Sequence, residues 1–297
     1  MSANNNDKNS VEFKYLIIVQ PLGFLYGSAG RFLSPENLVG RSGTSFPPST
    51  ATLSGIFAAT YGNDAIQDLH LAGPFWGKLD EVESEEQNFY VPTPLTYLVK
   101  NGEIQHRLKW NPSKDQETSS SPYNGEWLDE KGEAPSDKFD QGTWISIHHW
   151  NNPTEVEDKK QWKFAPHLHP RLELNERRVV RKPEGNQTEE LQGSLFLENA
   201  VQIHPDTCLV YLSTCELAPG WYRFGGEGHL VEISSPELST RHKDLFNESV
   251  GQQFALITPA IWGSNRLSYR EPSIYRRAIL KNTIKPIQTQ MISLSGQ

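Results

Sequence analysis

The stretch Phe13–Gly27, FKYLIIVQPLGFLYG, followed after a Gly/Ser/Pro-rich loop by Pro48–Asn63, PSTATLSGIFAATYGN, decides the fold class. The first piece is a run of β-branched and aromatic residues closed by glycine, which predicts a strand. The second opens on Ser49 and Thr50, both suited to cap a helix, and carries Leu53, Ile56, Phe57 and Tyr61 at helical spacing. Gly62-Asn63 ends it. Downstream, LHLAGPFWGKLD (Leu69–Asp80) reads as a short strand and turn. NFYVPTPLTYLVKNGEIQHRLKW (Asn88–Trp110) reads as two strands joined at Asn101-Gly102, a strong hairpin signal.

From about Asn111 to Gln141 the chain is polar and poor in β-branched residues, which predicts an exposed insertion or a boundary between halves. TWISIHHW (Thr143–Trp150) fits a half-buried strand or a short helix equally. PRLELNERRVVR (Pro170–Arg181) and GSLFLENAVQIHPDTCLVYLSTCEL (Gly193–Leu217) read as strands, and WYRFGGEGHLVEI (Trp221–Ile233) as a strand, a glycine loop and a strand. RHKDLFNESV (Arg241–Val250) fits a short helix and FALITPAIW (Phe254–Trp262) a further strand. Strands outnumber helices and follow one another closely, which predicts an α+β fold on antiparallel sheets. The ferredoxin-like βαββαβ plan is one arrangement of that kind.

The chain has 297 residues, 36% of them hydrophobic, enough for one large or two ordinary domains. It lacks the apolar run that spans a bilayer. MSANNNDKNS at the start is polar, without the apolar core of a secretory signal. Cys208 and Cys215 point to opposite sides of a straight strand, so no disulfide is expected and a reducing cytoplasmic setting fits. The net charge is −8, which disfavours a uniformly basic nucleic-acid binder, but the charge is uneven. Ala260–Gln297 holds six basic residues (Arg266, Arg270, Arg276, Arg277, Lys281, Lys285) against Glu271 alone. Asp80–Glu86 holds five acids and no base, and reads as a solvated loop.

Three places could receive an anion. In Phe224-Gly225-Gly226-Glu227-Gly228-His229 the glycines let the backbone approach a ligand and turn its N–H groups together; an ordinary tight turn has the same composition. Arg31 and Arg41 sit in the loop after the first strand, where a guanidinium can grip phosphate or simply face water. Ser45, Ser49 and Thr50 lie at the helix start, a natural anion site and equally a plain cap. Trp221 shares one strand face with Arg223, Tyr222 shares the other with Phe224, and only one pair can face a base. The chain has no Walker motif, no G-x-S-x-G, no H-E-x-x-H and no zinc spacing, so no metal and no cofactor is expected.

Three ordered segments carry a resemblance. They are Gln20–Leu25 with Gly30-Arg31-Phe32 and Ser45–Gly55; Leu71–Phe75 with Phe89–Pro94; and Pro170–Glu190 with Gly193–Phe196 and Phe224–Gly228. In this order they resemble the RAMP-superfamily subunit that binds the 5′ handle of the guide RNA in Cmr-type (type III-B) CRISPR effector complexes, or its type III-D counterpart. His229 stands where that family usually has a basic residue. The resemblance implies two ferredoxin-like (RRM-like) domains with long loop insertions, at 12–141 and 142–297. It also implies a non-catalytic RNA-binding role through Arg31, Arg41, Ser45, Ser49, Thr50, Gly225, Gly226, Gly228 and His229. The implied partners are the crRNA 5′ handle, the large polymerase-like subunit and the backbone RAMP subunits. Related RAMP proteins are metal-independent endoribonucleases using histidine; here that reading would fall on His229 with His70. A purely architectural subunit is the third reading.

Overall fold

The computed structural model describes residues 11–25, 46–112, 125–159, 161–170, 195–226, 228–248 and 255–258, together with 262–264 and 267–269. At 65, 112, 167–170, 195–199, 262–264 and 267–269 the description is of the backbone. In chain order the elements are β1 (Tyr15–Pro21), α1 (Thr50–Tyr61), β2 (Leu71–Lys78), α2 (Leu79–Val82), β3 (Tyr90–Pro92), β4 (Tyr97–Lys100) and β5 (Glu103–Arg107). Then come β6 (Lys109–Pro112), β7 (Gly125–Leu128), β8 (Trp144–Ser146), β9 (Trp162–Pro170), β10 (Leu195–Ile203) and β11 (Thr207–Ser213). The last are β12 (Gly220–Phe224), β13 (His229–Ser234), α3 (Thr240–Asn247), β14 (Trp262–Ser264) and β15 (Leu267–Tyr269).

The architecture is α+β. A seven-stranded sheet runs β12-β13-β1-β11-β2-β3-β8, and every neighbouring pair in it is antiparallel. Strands from both sides of position 141 interleave in this one sheet. Because β1 and β2 both run against the β11 that separates them, they are parallel to each other, and α1 is the crossover between them. That is a split βαβ unit. In a full βαββαβ plan a second helix would follow β11; here residues 214–219 lead without a helix into the β12–β13 hairpin.

The strand β1 is buried on both sides, which is why its sequence lacks alternation. Ile17 and Val19 join Leu209, Tyr211, Phe224, Val231 and Ile233 beneath α1, whose Leu53, Ile56 and Phe57 fill that layer. Leu16 and Ile18 face the other way, into a second layer with Phe75, Phe89, Val91, Ile145, Val210 and Leu212. The predicted apolar stripe of α1 is right at three positions, but Tyr61 is 47% exposed, with its hydroxyl oxygen accepting from the Ala218 N–H at 3.0 Å. TWISIHHW turns out to be both options in succession: β8, then a 3₁₀ turn over Ile147–His149. Asn101 and Gly102 have φ of 56° and 78°, as a tight hairpin between β4 and β5 requires. Residues 255–258, expected within a strand, are irregular. The proposed strand over 171–181 lies outside the described residues. The acidic run at Asp80 is not a plain solvated loop, since α2 occupies its start and buries Val82 completely.

Beneath α3 lies a buried imidazole. His242 is 1% exposed, with its ring stacked on Phe89 at 5.4 Å and set 5.2 Å from His148; Ser239 Oγ lies 2.7 Å from its Nδ1. Burial lowers its pKa from 6.5 to about 4, helped by the nearby charges of His148 and Arg241. The unfolded chain therefore binds a proton here that the folded one refuses. This stability contribution is complete above 6.5 and falls as the pH drops toward about 4, by up to about 3 kcal/mol. Urea unfolding at about pH 7 and about pH 4 should show a smaller acid loss in His242→Phe than in the native chain. Equal losses would show that His242 does not set the acid limb.

Candidate nucleic-acid interface

The hairpin β12–β13 closes with Phe224 opposite His229, and the turn between them needs glycine. Gly225 and Gly228 have φ of 77° and 68°, where a Cβ is strained, and the Gly228 N–H donates to the Gly225 carbonyl at 3.1 Å. A Cβ at Gly226 would meet nothing within 4 Å, so this part of the turn faces open space. Gly225 and Gly226 are exposed, while Phe224 just before them is 2% exposed and anchors the turn in the α1 layer. Gly225 and Gly226 are thus presented outward from the buried Phe224, and Glu227 lies outside the described residues.

The start of α1 lies beside it. Ser49 caps the helix with extended backbone (φ −67°, ψ 166°), and its hydroxyl makes no capping hydrogen bond. Its carbonyl accepts from the Thr52 N–H at 3.0 Å. The first turn contains no acidic residue, so the partial positive charge of the helix start is not offset there. A Cβ built on Gly225 would lie 3.8 Å from Thr52 Cγ2. The fold thus makes neighbours of two sequence features far apart in the chain, the glycine turn and the helix start with Ser49 and Thr50. What aligns them is the antiparallel order β13-β1-β11 with α1 laid over it.

One residue outside the predicted set belongs here. Arg223 is exposed on β12, and its Nη1 lies 3.5 Å from where a Cβ of Gly228 would stand. Its side chain therefore lies alongside the turn. The signal was available, because strand alternation sets Arg223 outward if Phe224 is inward. The structure also decides between the two aromatic pairs. Trp221 and Arg223 face out, Trp221 at 69% exposure, whereas Phe224 is buried and Tyr222 half-buried with its hydroxyl donating to the Ala218 carbonyl.

His229 is half-buried at the first rung of β13. His70 precedes β2, whose Leu71 sits level with Ser213 and Tyr15, the opposite end of the sheet from Pro21 and Val231. The two histidines are separated by about 20 Å along the strands alone, at roughly 3.3 Å per residue. They cannot act as one acid–base pair, which corrects that element of the nuclease reading. Arg31, Arg41 and Ser45 lie outside the described residues. The chain flanking them is fixed: Leu25 exchanges backbone hydrogen bonds with Val201 at 2.9 and 2.7 Å, and the Phe46 ring meets Trp162 edge-on at 5.1 Å.

The charge elsewhere is of the other sign. At the junction of β2, α2 and β3, Lys78 Nζ lies 3.1 Å from Glu81 and 3.2 Å from Glu157, and donates to the Tyr90 hydroxyl. Burial by itself would raise the Glu81 carboxyl, but hydrogen bonds from Asn88, Lys78 and Tyr90 outweigh it and hold the pKa below the usual carboxylate range. Burial likewise opposes the charge of Lys78, and its three side-chain partners raise its pKa all the same. A cavity of about 530 Å³ beside this network is lined by Glu81, Glu86, Glu155, Glu157, His148 and Arg241, a setting that repels phosphate. Among the described residues no cluster of His, Cys, Asp and Glu could hold a metal ion, and no helix is long and apolar enough to cross a membrane.

No family model matches the chain, and no curated protein does. Among the solved structures similar to it are two that contain the Type III-B Cmr-beta complex bound to cognate target RNA, determined by cryo-EM. One also contains AMPPnP and matches with 11% identity and a TM-score of 0.35. The other matches with 12% identity and a TM-score of 0.37. Each match covers 73% of this chain and 62% of the other, so the chain spans less than two thirds of the length of those it matches.

Proposed function

We propose that this protein is a non-catalytic RNA-binding subunit of a type III CRISPR effector complex that holds the repeat-derived 5′ handle of the crRNA. The observation carrying the reading is the exposed turn at Gly225, Gly226 and Gly228, packed beside the start of α1 with Arg223 against it. The turn's main-chain amides and the uncompensated helix start on the α1 side of the sheet, with the Arg223 guanidinium reaching the turn from the opposite face, are the groups that would receive a phosphate. The ordered sequence segments that resemble the handle-binding RAMP subunit supply the identity of the RNA. Arg31 and Arg41 extend the basic contact set in this reading. The large polymerase-like subunit and the first backbone subunit are the protein partners, and the acidic surface around Glu81 is available to them.

Sequencing the RNA that co-purifies with the native assembly tests this. The expected result is a population sharing one 5′ segment ahead of variable sequence. RNA-free particles, or RNA without a common 5′ segment, would contradict it. Incubating precursor RNA with the chain in EDTA should leave the RNA intact; cleavage would move the reading to the nuclease class.

A further inference from the structure

We infer that the outward face of β12, at Trp221 and Arg223, is a stacking site for one base of single-stranded RNA whose phosphate lies on the Arg223 guanidinium at the glycine turn. The inference rests on the RNA-binding reading above and adds to it a specific ring and a place for the phosphate.

Trp221 is 69% exposed, more than any other aromatic among the described residues with large exposed apolar side chains. Elsewhere this face of the sheet is covered, since Leu16, Ile18 and Val210 lie in a packed layer. At the β12–β13 end the cover stops, leaving Trp221 with Leu230 and Leu22, each 47% exposed. Arg223 is directly opposite Leu230, and the Leu22 N–H donates to the Leu230 carbonyl at 3.1 Å, so these residues form one continuous surface. A contiguous exposed apolar patch is a feature that calls for a ligand, unlike a solitary surface leucine.

The charges choose the occupant. A protein hot spot is an enclosed apolar pocket with charges kept to its rim. Here the indole is exposed, with Arg223 two residues along the strand and Glu232 directly opposite it on β13. A nucleotide is apolar at the base and anionic at one end, and it fits that division. Its base covers the indole, and its phosphate points away from Glu232 toward Arg223 and the turn. Trp221 and Arg223 are two residues apart on a strand, about 7 Å, which a single nucleotide bridges from base to phosphate. Among the described residues β12 is the edge strand of the sheet. Stacking on an open ring tolerates any base, so this site contributes affinity more than sequence readout.

Fluorescence anisotropy of the 297-residue chain with labelled oligoadenylate and oligouridylate of equal length tests it. Trp221→Ala should weaken binding roughly 5- to 150-fold, the range for losing one stacked base, and Trp221→Phe should keep most of the affinity. Arg223→Gln should reduce the slope of log affinity against log salt by about 0.7, one phosphate contact in a single strand, whereas Trp221→Ala leaves that slope unchanged. Native affinity in Trp221→Ala, in a chain whose RNA binding a glycine-turn substitution still abolishes, overturns this site alone and leaves the face to a protein partner. Trp221→Phe as weak as Trp221→Ala also overturns it. Failure of the native chain to bind RNA at all overturns the functional reading together with this site.

Discussion

Gly226→Asp should weaken RNA binding by at least about tenfold while leaving the melting temperature where it was. The two halves of that expectation have separate grounds. Among the described glycines of the turn, Gly226 is the one without a left-handed backbone, and a Cβ there meets nothing within 4 Å. An exposed substitution with neither strain nor clash usually changes stability by less than about 0.5 kcal/mol. The new carboxylate, however, stands over the amides that are to receive a phosphate. Two like charges about 4 Å apart at a protein surface repel by up to about 4 kcal/mol before screening, and tenfold in affinity needs about 1.4 kcal/mol. An aspartate here would also compete for Arg223, an effect of the same sign. Gly225 and Gly228 are poorer test positions, because φ of 77° and 68° would add backbone strain to any electrostatic effect. An electrophoretic shift alongside a thermal melt reads both quantities. Unchanged binding with an unchanged melt would remove the turn from the interface.

Gly73→Ala, in the middle of β2, should cost stability through both backbone strain and a clash. The pairing of β2 with β11 slips between Val210 and Leu212, so that Gly73 and Pro74 together face Tyr211. Gly73 has φ of 132°, and its Cβ would stand 2.9 Å from Tyr211 Cδ1 and 3.2 Å from the Val210 carbonyl oxygen. The tyrosine cannot yield. It is fully buried, and its hydroxyl donates to the Pro48 carbonyl at 2.6 Å, just ahead of the Ser49 cap of α1. Backbone strain and overpacking each cost about 1–3 kcal/mol, so a loss of about 3 kcal/mol or more is expected. Gly62→Ala is the control. Its φ of 89° with ψ of 163° gives strain, but nothing lies within 4 Å, so the loss should be about 1–3 kcal/mol from strain alone. Urea unfolding of both variants compares them; equal losses would mean that the contact with Tyr211 carries no weight.

Local features were legible in the sequence. The spacing of Leu53, Ile56 and Phe57 marked α1, Asn101-Gly102 marked its hairpin, and the alternation through Trp221–Phe224 set the two possible outward pairs. Partnership between strands was not legible, because it depends on contacts made across most of the chain. β1 pairs with β11 and β13, and residues 79–206 lie between the paired β2 and β11. No local signal reports such a neighbour. The same gap explains Tyr61, which has helical spacing for the core yet faces the Ala218 N–H supplied by a distant segment. It explains Arg223 as well. Its outward position could be read, but its contact with the turn depends on how the hairpin closes. Acids at Asp80–Glu86 suggested solvent, while a buried Val82 and the Lys78–Glu81–Tyr90 network tie that run to the sheet.

Ultraviolet crosslinking of the native assembly, followed by mass spectrometry of the peptides bearing nucleotides, tests the central claim most directly. The account predicts an RNA adduct on the peptide spanning Trp221 to His229. Adducts confined to other peptides of this chain, or an assembly whose RNA crosslinks only to its other subunits, would contradict it.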